Sequence, residues 1–562
     1  MADVIMEHAV HAYDVVIVGA GVVGAPLAAG LGRAGRRVLL LERDLSEPDR
    51  IVGELLQPGG VRALQLLGME KALEGIDAIP VEGYAIFMDK DESIKIDYPS
   101  KPELPARYGS SEPLGNDLHY EGRSFHYGRF IMALREFALN TQNVDVVQAT
   151  VQDLIHGSDG AIIGVRAGDA EYRADVTIVA DGCFSKFRKL YGGSRQPLIR
   201  SHFVGLELPP DVALVKRHGH VILNKNQGHA GKNPVGPVLV YQIGSDATRI
   251  LVDVPSTKLP SQQSGELQRY LEKDIAPQLP GDIGTALVAE LRKGTRLRTM
   301  PNNFLPPNVQ GQSSHQRGLI VVGDAMNMRH PLTGGGMTVA LWDVAFLIHI
   351  LGKGSWSPLD GTPQAFSVPS AARSLKNWSS IKPLLKSWHW RRKKLASVIN
   401  VLAQALYSLF GVPDDNLTVL RLGCFRYFEL GGDCVRAPIS LLGGLAPDPL
   451  LLVYHFFAVA IYSVQLLFRG RLLAGAKHAV PKPSFAEYPA LIWRSVVVLY
   501  YACVVILPVL FTEIQLNLAT PATSAKPISI SRRTLFLAAA LLSFTCLGYS
   551  AIHRSPVTMV VS

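Results

Sequence analysis

Gly19, Gly21 and Gly24 follow an apolar run that ends at Val18, and a carboxylate, Glu42, closes the next apolar run. Those residue types at those spacings hold a dinucleotide. Gly19 permits a tight turn, and Gly21 lets the backbone approach a pyrophosphate at a helix N-terminus, where unpaired N–H groups and the helix dipole favour anions. Gly24 allows close helix–strand packing, and Glu42 stands where a carboxylate accepts hydrogen bonds from adenosine ribose hydroxyls. Two more glycine–acid signals come later, Ala180-Asp181-Gly182 and the run GDAMNMRHPLTGGG that starts at Gly323 and contains Asp324. Each alone reads as a turn; the order of the three is the information.

The elements that must position these residues can be read from hydropathy. Val15–Val18 and Val38–Leu41 are short continuous apolar runs, suited to parallel strands buried on both faces, with one helix between them. From Asp44 to Gly60, glycines and prolines exclude a long regular element, and this loop brings Arg50 and the turn GELLQPGG beside a cofactor at the glycines. A helix is predicted over Val61–Leu67 and strand-like segments around Val81–Met88. The Pro-, Gly- and charge-rich stretch Asp91–Gly122 reads as an exposed excursion. Arg129–Ala138 has helical spacing with Arg135 on the polar face. Strands are predicted at Val144–Val151, Ile162–Val165 and Val176–Ala180, then at His202–Leu206 and Val238–Ile243 in a mostly β unit, and Leu319–Val322 returns the chain to the first domain. The fold class is therefore α/β: a Rossmann-like cofactor-binding domain (13–90, regained over 91–195 and 299–380), an interleaved β-rich substrate domain (196–298), a C-terminal α-helical membrane region (381–515), and a linker with a tail helix (516–562).

The 562 residues have room for about three domains. A mean hydropathy of +0.18 points to concentrated apolar segments. These are Leu450–Phe468, interrupted by His455 and Gln465, Ser495–Phe511, broken by Pro508, and Leu535–Ile552, preceded by Arg532 and Arg533 and by a polar linker over 517–531. Each has about the length that spans a bilayer, roughly 17–20 residues. Segments interrupted in this way also suit helices pressed into one leaflet. Five cysteines without CxxC spacing argue against a zinc site or a disulfide framework and fit a reducing compartment. The net charge of +9 suits nucleic acid, an anionic membrane surface or an acidic partner, and no nucleic-acid motif accompanies it. The first residues lack the basic start and apolar core of a signal peptide, so membrane attachment is expected from the C-terminal part. In WHWRRKK, residues 388–394, aromatic side chains stand beside basic ones; this is either a solvated helix face or a surface for membrane or partner, with Arg391, Arg392, Lys393 and Lys394 as the docking candidates.

Taken in order, the three glycine–acid motifs resemble the FAD-dependent monooxygenases that include the aromatic hydroxylases. EPDRIVGE with LQPGG, GRSFHYGRFIM, VADGCFSKFRK, SHFVG, GDAMNMRHPLTGGGMTVAL and HFFAVAIY look like the squalene epoxidase (squalene monooxygenase) family, fungal-like in lacking an N-terminal membrane segment, from about Tyr13 to Phe511. That resemblance implies FAD contacts at Val22, Val23, Glu42, Arg43, Arg50, Leu55, Arg135, Val151, Asp324 and Met337, in addition to the three glycines. It implies that Tyr84 and Gln57 lie beside the flavin as catalytic residues, and that Phe203, Tyr241, Pro331, Leu332, His455 and Phe456 line an apolar pocket, with no metal. Tyr84 also reads as a packed strand tyrosine, and His455 as a satisfied histidine at a helix contact.

The implied reaction is epoxidation of squalene by O2 to (S)-2,3-epoxysqualene through a flavin C4a-hydroperoxide, in sterol or triterpenoid synthesis. Electrons would come from NADPH through a cytochrome P-450 type reductase, because one dinucleotide clamp is present and FAD takes it. The expected location is the endoplasmic reticulum membrane, in contact with lipid and with the catalytic domain facing the cytoplasm, and also lipid droplets. No nucleic-acid partner is implied. Two other readings remain at this point: another membrane-associated flavin hydroxylase, and a non-catalytic prenyl-binding escort protein.

Overall fold

The computed structural model describes residues 12–514, apart from 101–118, 192–196, 224–234, 306–315, 354–373, 412–414, 470–482 and the single positions 52, 89, 91, 213 and 257. Its first sheet has seven strands in the order Val144–Gln148, Val38–Glu42, Ala12–Val18, Ala170–Val179, Ile162–Ala167, Val151–His156, with Leu319–Val321 also pairing Ala170–Val179. The pairings among the first four and with Leu319–Val321 are parallel, and the last two strands run antiparallel. Val15, Val16, Ile17 and Val38 to Leu40 are inaccessible to solvent, as expected for strands covered on both faces. Helices Gly24–Arg33, Tyr127–Leu139 and Gly336–Leu351 pack around them. Gly19 has φ +101°, and a Cβ on Gly24 would lie 1.7 Å from the Gly19 carbonyl oxygen, so neither position tolerates a side chain.

The second sheet also has seven strands, in the order Arg298–Phe304, Leu198–Leu208, Thr248–Val254, Val238–Gln242, His218–Ile222, Gly83–Phe87, Ser93–Asp97. Three of these, Gly83–Phe87, Ser93–Asp97 and Arg298–Phe304, come from outside the 196–298 segment, so the sheet does not follow the linear boundaries read from the sequence. The stretch after Asp91 is also not simply an exposed excursion. Ser93–Asp97 pairs with Gly83–Phe87, and Ile96 and Tyr98 are buried. Composition hid a period-two alternation there. Residues 101–118 of that stretch lie outside the described residues.

Alternation divides the second sheet into two faces. Val204, Leu206, Val238, Val240, Ile250 and Val252 pack against helices over 266–292. Phe203, Leu239, Tyr241 and Leu251 turn the other way, toward Leu55, Leu332, Tyr407 and Leu445.

The C-terminal part is helical: Trp378–Gly411, Asp415–Phe428, Asp433–Leu442, Pro449–Arg469 and Tyr488–Ile514. Three described helices, Trp378–Gly411, Pro449–Arg469 and Phe485–Phe511, are long and apolar enough to cross a membrane by length and composition. The first lies largely inside the protein, whereas Leu450, Phe485 and Trp493 on the other two are exposed. The third apolar stretch expected from the sequence, Leu535–Ile552, and the linker before it lie outside the described residues.

The basic cluster needs a correction. Arg392 and Lys393 are buried, Arg392 bound to Asp343 and Lys393 to Glu513. Only Lys394 of the four docking candidates is exposed, Arg391 being half-buried. A run of like charges looks solvated when its partners are distant in sequence, as both are here.

Candidate active site

The glycine turn, Glu42 and Arg135 form one bonded unit. Glu42 Oε2 accepts from the Ala20 amide at 2.7 Å, and Arg135 donates from Nε to the Ala20 carbonyl at 3.0 Å and from a terminal nitrogen to the Ser46 carbonyl at 2.9 Å. Arg135 is therefore buried, against the expectation of a polar helix face, because it ties the turn to the loop after the second strand. Val23 reaches the third motif: a Cβ on Gly323 would lie 2.9 Å from its side chain. Asp324 has an exposed side chain next to this contact. Arg50 lies over the Tyr127 ring at 5.3 Å and bonds to the Cys183 sulfur at 3.7 Å, with Asp324 among the charges that act on it. Met337 sulfur would lie 3.8 Å from a Cβ on Gly53, and Leu55 packs near Gly334. Val151 is buried on its edge strand and Arg43 is exposed beyond Glu42.

These residues fit a flavin adenine dinucleotide. A Cβ on Gly21 would meet no atom within 4 Å, and the same holds for Gly336 at the start of Gly336–Leu351, whose N-terminus carries no side-chain cap. Both backbones therefore border open space of the kind that a pyrophosphate and a flavin ring would fill.

Gln57, at the N-terminus of helix Pro58–Leu66, is completely buried. Its amide nitrogen donates to the Thr333 carbonyl at 2.9 Å and to the Tyr84 hydroxyl, and its carbonyl accepts from the Tyr98 hydroxyl at 2.6 Å. Three partners fix the amide orientation, and because Tyr84 accepts, its own proton is left to donate. Burial raises the pKa of both phenols, so Tyr84 is a neutral donor at physiological pH. Thr333 precedes the Gly334–Gly336 turn, so the Gln57 pair is bonded directly to the glycine-rich end of the third motif. Tyr98, edge-on to Tyr84 at 6.1 Å, was not identified from the sequence.

Phe203, Tyr241 and Leu332 share one apolar cluster, with Tyr84 packed on its margin. Pro331 begins the short turn that carries Leu332, and the preceding His330 stacks on Tyr407 at 3.9 Å. Tyr241 is steadied from behind, where Glu54 and Arg249 form a buried bidentate pair at 2.8 and 2.9 Å and its hydroxyl reaches Glu54 at 3.5 Å. His455 and Phe456 lie elsewhere, on Pro449–Arg469. His455 Nδ1 meets the Tyr427 hydroxyl at 3.0 Å, and Phe456 packs among the C-terminal helices. Those helices still touch the site, since the Gly59 amide donates to the Gly443 carbonyl at 2.8 Å and a Cβ on Gly59 would lie 2.5 Å from Gly444 oxygen.

Arg188 is another residue that sequence reasoning passed over. It donates to the carbonyls of Gly182, Cys183, Asp324 and Ala325 at 2.9–3.0 Å, which knots the second motif to the third. Its signal was an arginine six residues after the Asp-Gly pair.

The squalene epoxidase family model matches residues 173–480. Squalene epoxidase erg1 of Aspergillus fumigatus is 43% identical over 508 residues, covering 89% of this chain and 93% of that one. Squalene epoxidase erg1 of Schizosaccharomyces pombe is 40% identical over 510 residues, 89% of this chain and 98% of that one. Among solved structures, p-nitrophenol 4-monooxygenase PnpA from Pseudomonas putida superposes with a TM-score of 0.56 at 18% identity, over 77% of this chain and 98% of that one, a likeness of fold. With a family model matching more than half of the chain and relatives of this identity over nearly their whole length, the chain belongs to the squalene epoxidase family.

Proposed function

We propose that this protein is an FAD-dependent monooxygenase that epoxidises a terminal double bond of squalene, consuming O2, two electrons and two protons and releasing water. The observation that carries this reading is the Gln57–Tyr84–Tyr98 arrangement, bonded to Thr333 at the start of the glycine-rich turn and packed against an apolar wall formed by Phe203, Tyr241 and Leu332. Bound FAD, once reduced, supplies the activated oxygen. The alkene is itself the nucleophile and needs no base, so the chain's tasks are to orient it, exclude water and handle one proton. Tyr84 suits the last task as a neutral donor beside the ring, and Gln57 holds it there. The nearby carboxylate Glu54 is locked by Arg249 behind the wall, which keeps anionic charge away from a hydrocarbon.

Electrons reach the flavin from NADPH through a separate reductase, because the one strand–glycine–helix clamp is committed to FAD. The exposed apolar side chains on Pro449–Arg469 and Tyr488–Ile514 suit contact with lipid, in which squalene dissolves, and the endoplasmic reticulum surface facing the cytoplasm is the location that fits. Detergent-purified protein incubated with FAD, NADPH, a microsomal reductase and squalene tests this, with mass spectrometry of the products. Oxidosqualene that depends on all four components is expected. Absence of flavin from the purified and reconstituted protein would favour an escort role, and equal rates with and without reductase would overturn the electron route.

A further inference from the structure

Glu513 sits in the last turn of the apolar helix Tyr488–Ile514, where a carboxylate is disfavoured twice. The C-terminal end of the helix dipole repels it, and its side chain is 1% exposed. It is compensated by Lys393, whose Nζ donates to Oε2 at 2.5 Å, and by Asn400, whose amide donates to Oε1 at 2.9 Å. The same Asn400 amide donates to Asn327 Oδ1 at 3.0 Å. Asn327 belongs to the third motif, its backbone N–H donating to the Gly323 carbonyl at 2.8 Å, which closes the turn that presents Asp324. All three side chains are buried. Arg329, two residues further on, is also buried and donates to the Asn327 carbonyl at 2.9 Å, with Asp324, Asp343 and Glu513 as the anions around it. A hydrogen-bonded line therefore runs from the end of the last described apolar helix through Asn400 to the loop that faces the cofactor.

We propose that Glu513 is a positioning residue: acting through Asn400, it fixes Asn327 and hence the Gly323–Asp324 turn, so cofactor retention depends on how the last apolar helix is seated. This rests on the reading of Asp324 as a flavin contact. The physical basis is satisfaction of buried groups. Asn400 bridges two acceptors on different parts of the fold, and loss of the Glu513 acceptor weakens the hold on its side-chain amide and with it the bond to Asn327 Oδ1. The Lys393 pair balances the charge, and the Asn400 bond carries the position.

The test separates those two parts in the full-length protein. Lys393→Met with Glu513→Gln removes both charges and keeps an acceptor for Asn400, whereas Lys393→Met with Glu513→Leu removes the acceptor as well. The dissociation constant of FAD is read by flavin fluorescence on reconstitution, and the thermal midpoint of each apoprotein is measured alongside. About tenfold weaker FAD binding is expected for the leucine double variant relative to the glutamine one, at similar apoprotein midpoints, which is the scale of one lost hydrogen bond. Equal FAD affinity in the two would overturn the proposal. Asn400→Leu, with the ion pair intact, is a second route: about tenfold weaker binding supports the line, and unchanged binding refutes it. Failure of the unmutated protein to bind FAD would instead overturn the reading of the Asp324 site.

Discussion

Arg392 grips Asp343 with two parallel bonds, Nε to Oδ1 at 2.8 Å and a terminal nitrogen to Oδ2 at 2.7 Å, in a place that solvent does not reach. Trp388 donates to the Asp343 carbonyl at 3.2 Å and lies under the same guanidinium at 5.4 Å. Burial pushes the Asp343 carboxyl upward and the guanidinium opposes that shift, and the pair joins helix Gly336–Leu351 to the first C-terminal helix, Trp378–Gly411. Arg392→Met should leave a buried carboxylate unpaired and lower stability by about 3–5 kcal/mol, whereas Asp343→Leu with Arg392→Met should recover most of the loss. Thermal unfolding in detergent measures both; an intact midpoint in the single variant would contradict a buried pair.

Tyr84→Phe removes one hydroxyl and leaves the strand in place. Turnover should fall about tenfold, the equivalent of roughly 1.4 kcal/mol, while flavin content stays the same. Gln57→Leu should do the same and also loosen Tyr98. Steady-state rates together with the flavin absorbance of the purified variants decide this, and full activity in Tyr84→Phe would leave Tyr84 a packing residue.

Asp324→Ala should weaken FAD binding about ten- to a hundredfold, because a hydrogen bond to a charged group contributes roughly 1.5–3 kcal/mol. Its backbone partner Arg188 is untouched by the change, so the fold should persist. Flavin retention after gel filtration, set against circular dichroism, tests the assignment.

Asp253 and His330 form a pH-sensitive pair behind the pocket. Burial raises the Asp253 carboxyl to about 7 and lowers the His330 imidazole to about 3, with Ser201 and Asn302 bonded between them, Arg200 adding to the His330 shift and Tyr407 stacked on the imidazole. For Asp253 the folded state keeps a proton that the unfolded state loses above about 4, so its contribution to stability falls as pH rises from about 4 to about 7, by roughly 4 kcal/mol at 1.36 kcal/mol per unit. For His330 the unfolded state binds the extra proton, so stability rises from about pH 3 to the ordinary histidine value of 6.5. The two slopes oppose each other between about pH 4 and 6.5. Asp253→Asn should uncover the rising one, and thermal midpoints across that range should then climb more steeply with pH than those of the unmutated protein.

What the sequence revealed depended on the distance between partners. The glycine turn and Glu42 are legible because strand, turn, helix and strand are consecutive. The strands that carry Phe203 and Tyr241 are legible as short, largely apolar runs. Tyr98 was missed because its burial depends on which strand Ser93–Asp97 pairs with, and it stands between Asp97 and Pro99. Arg392 and Lys393 read as exposed, on a solvated face or a docking surface, because their anions, Asp343 and Glu513, lie on other helices. Arg135 was placed on a polar face because nothing in its own helix indicates that Ala20 and Ser46 need its donors.

The contact of Gly59 with Gly443 and Gly444 has a consequence for biosynthesis. The turn that holds Gln57 emerges early from the ribosome, yet the backbone that it packs against is made only when most of the chain has been translated, and Glu513 later still. Domains generally fold as units during synthesis, but a site closed by contacts of such long range cannot be completed until its last part arrives. The packing of the Gln57 turn is therefore completed only at the end of synthesis, and a chain truncated before Gly443 would leave the Gly59 amide and the backbone around it without the surface they are shaped to meet.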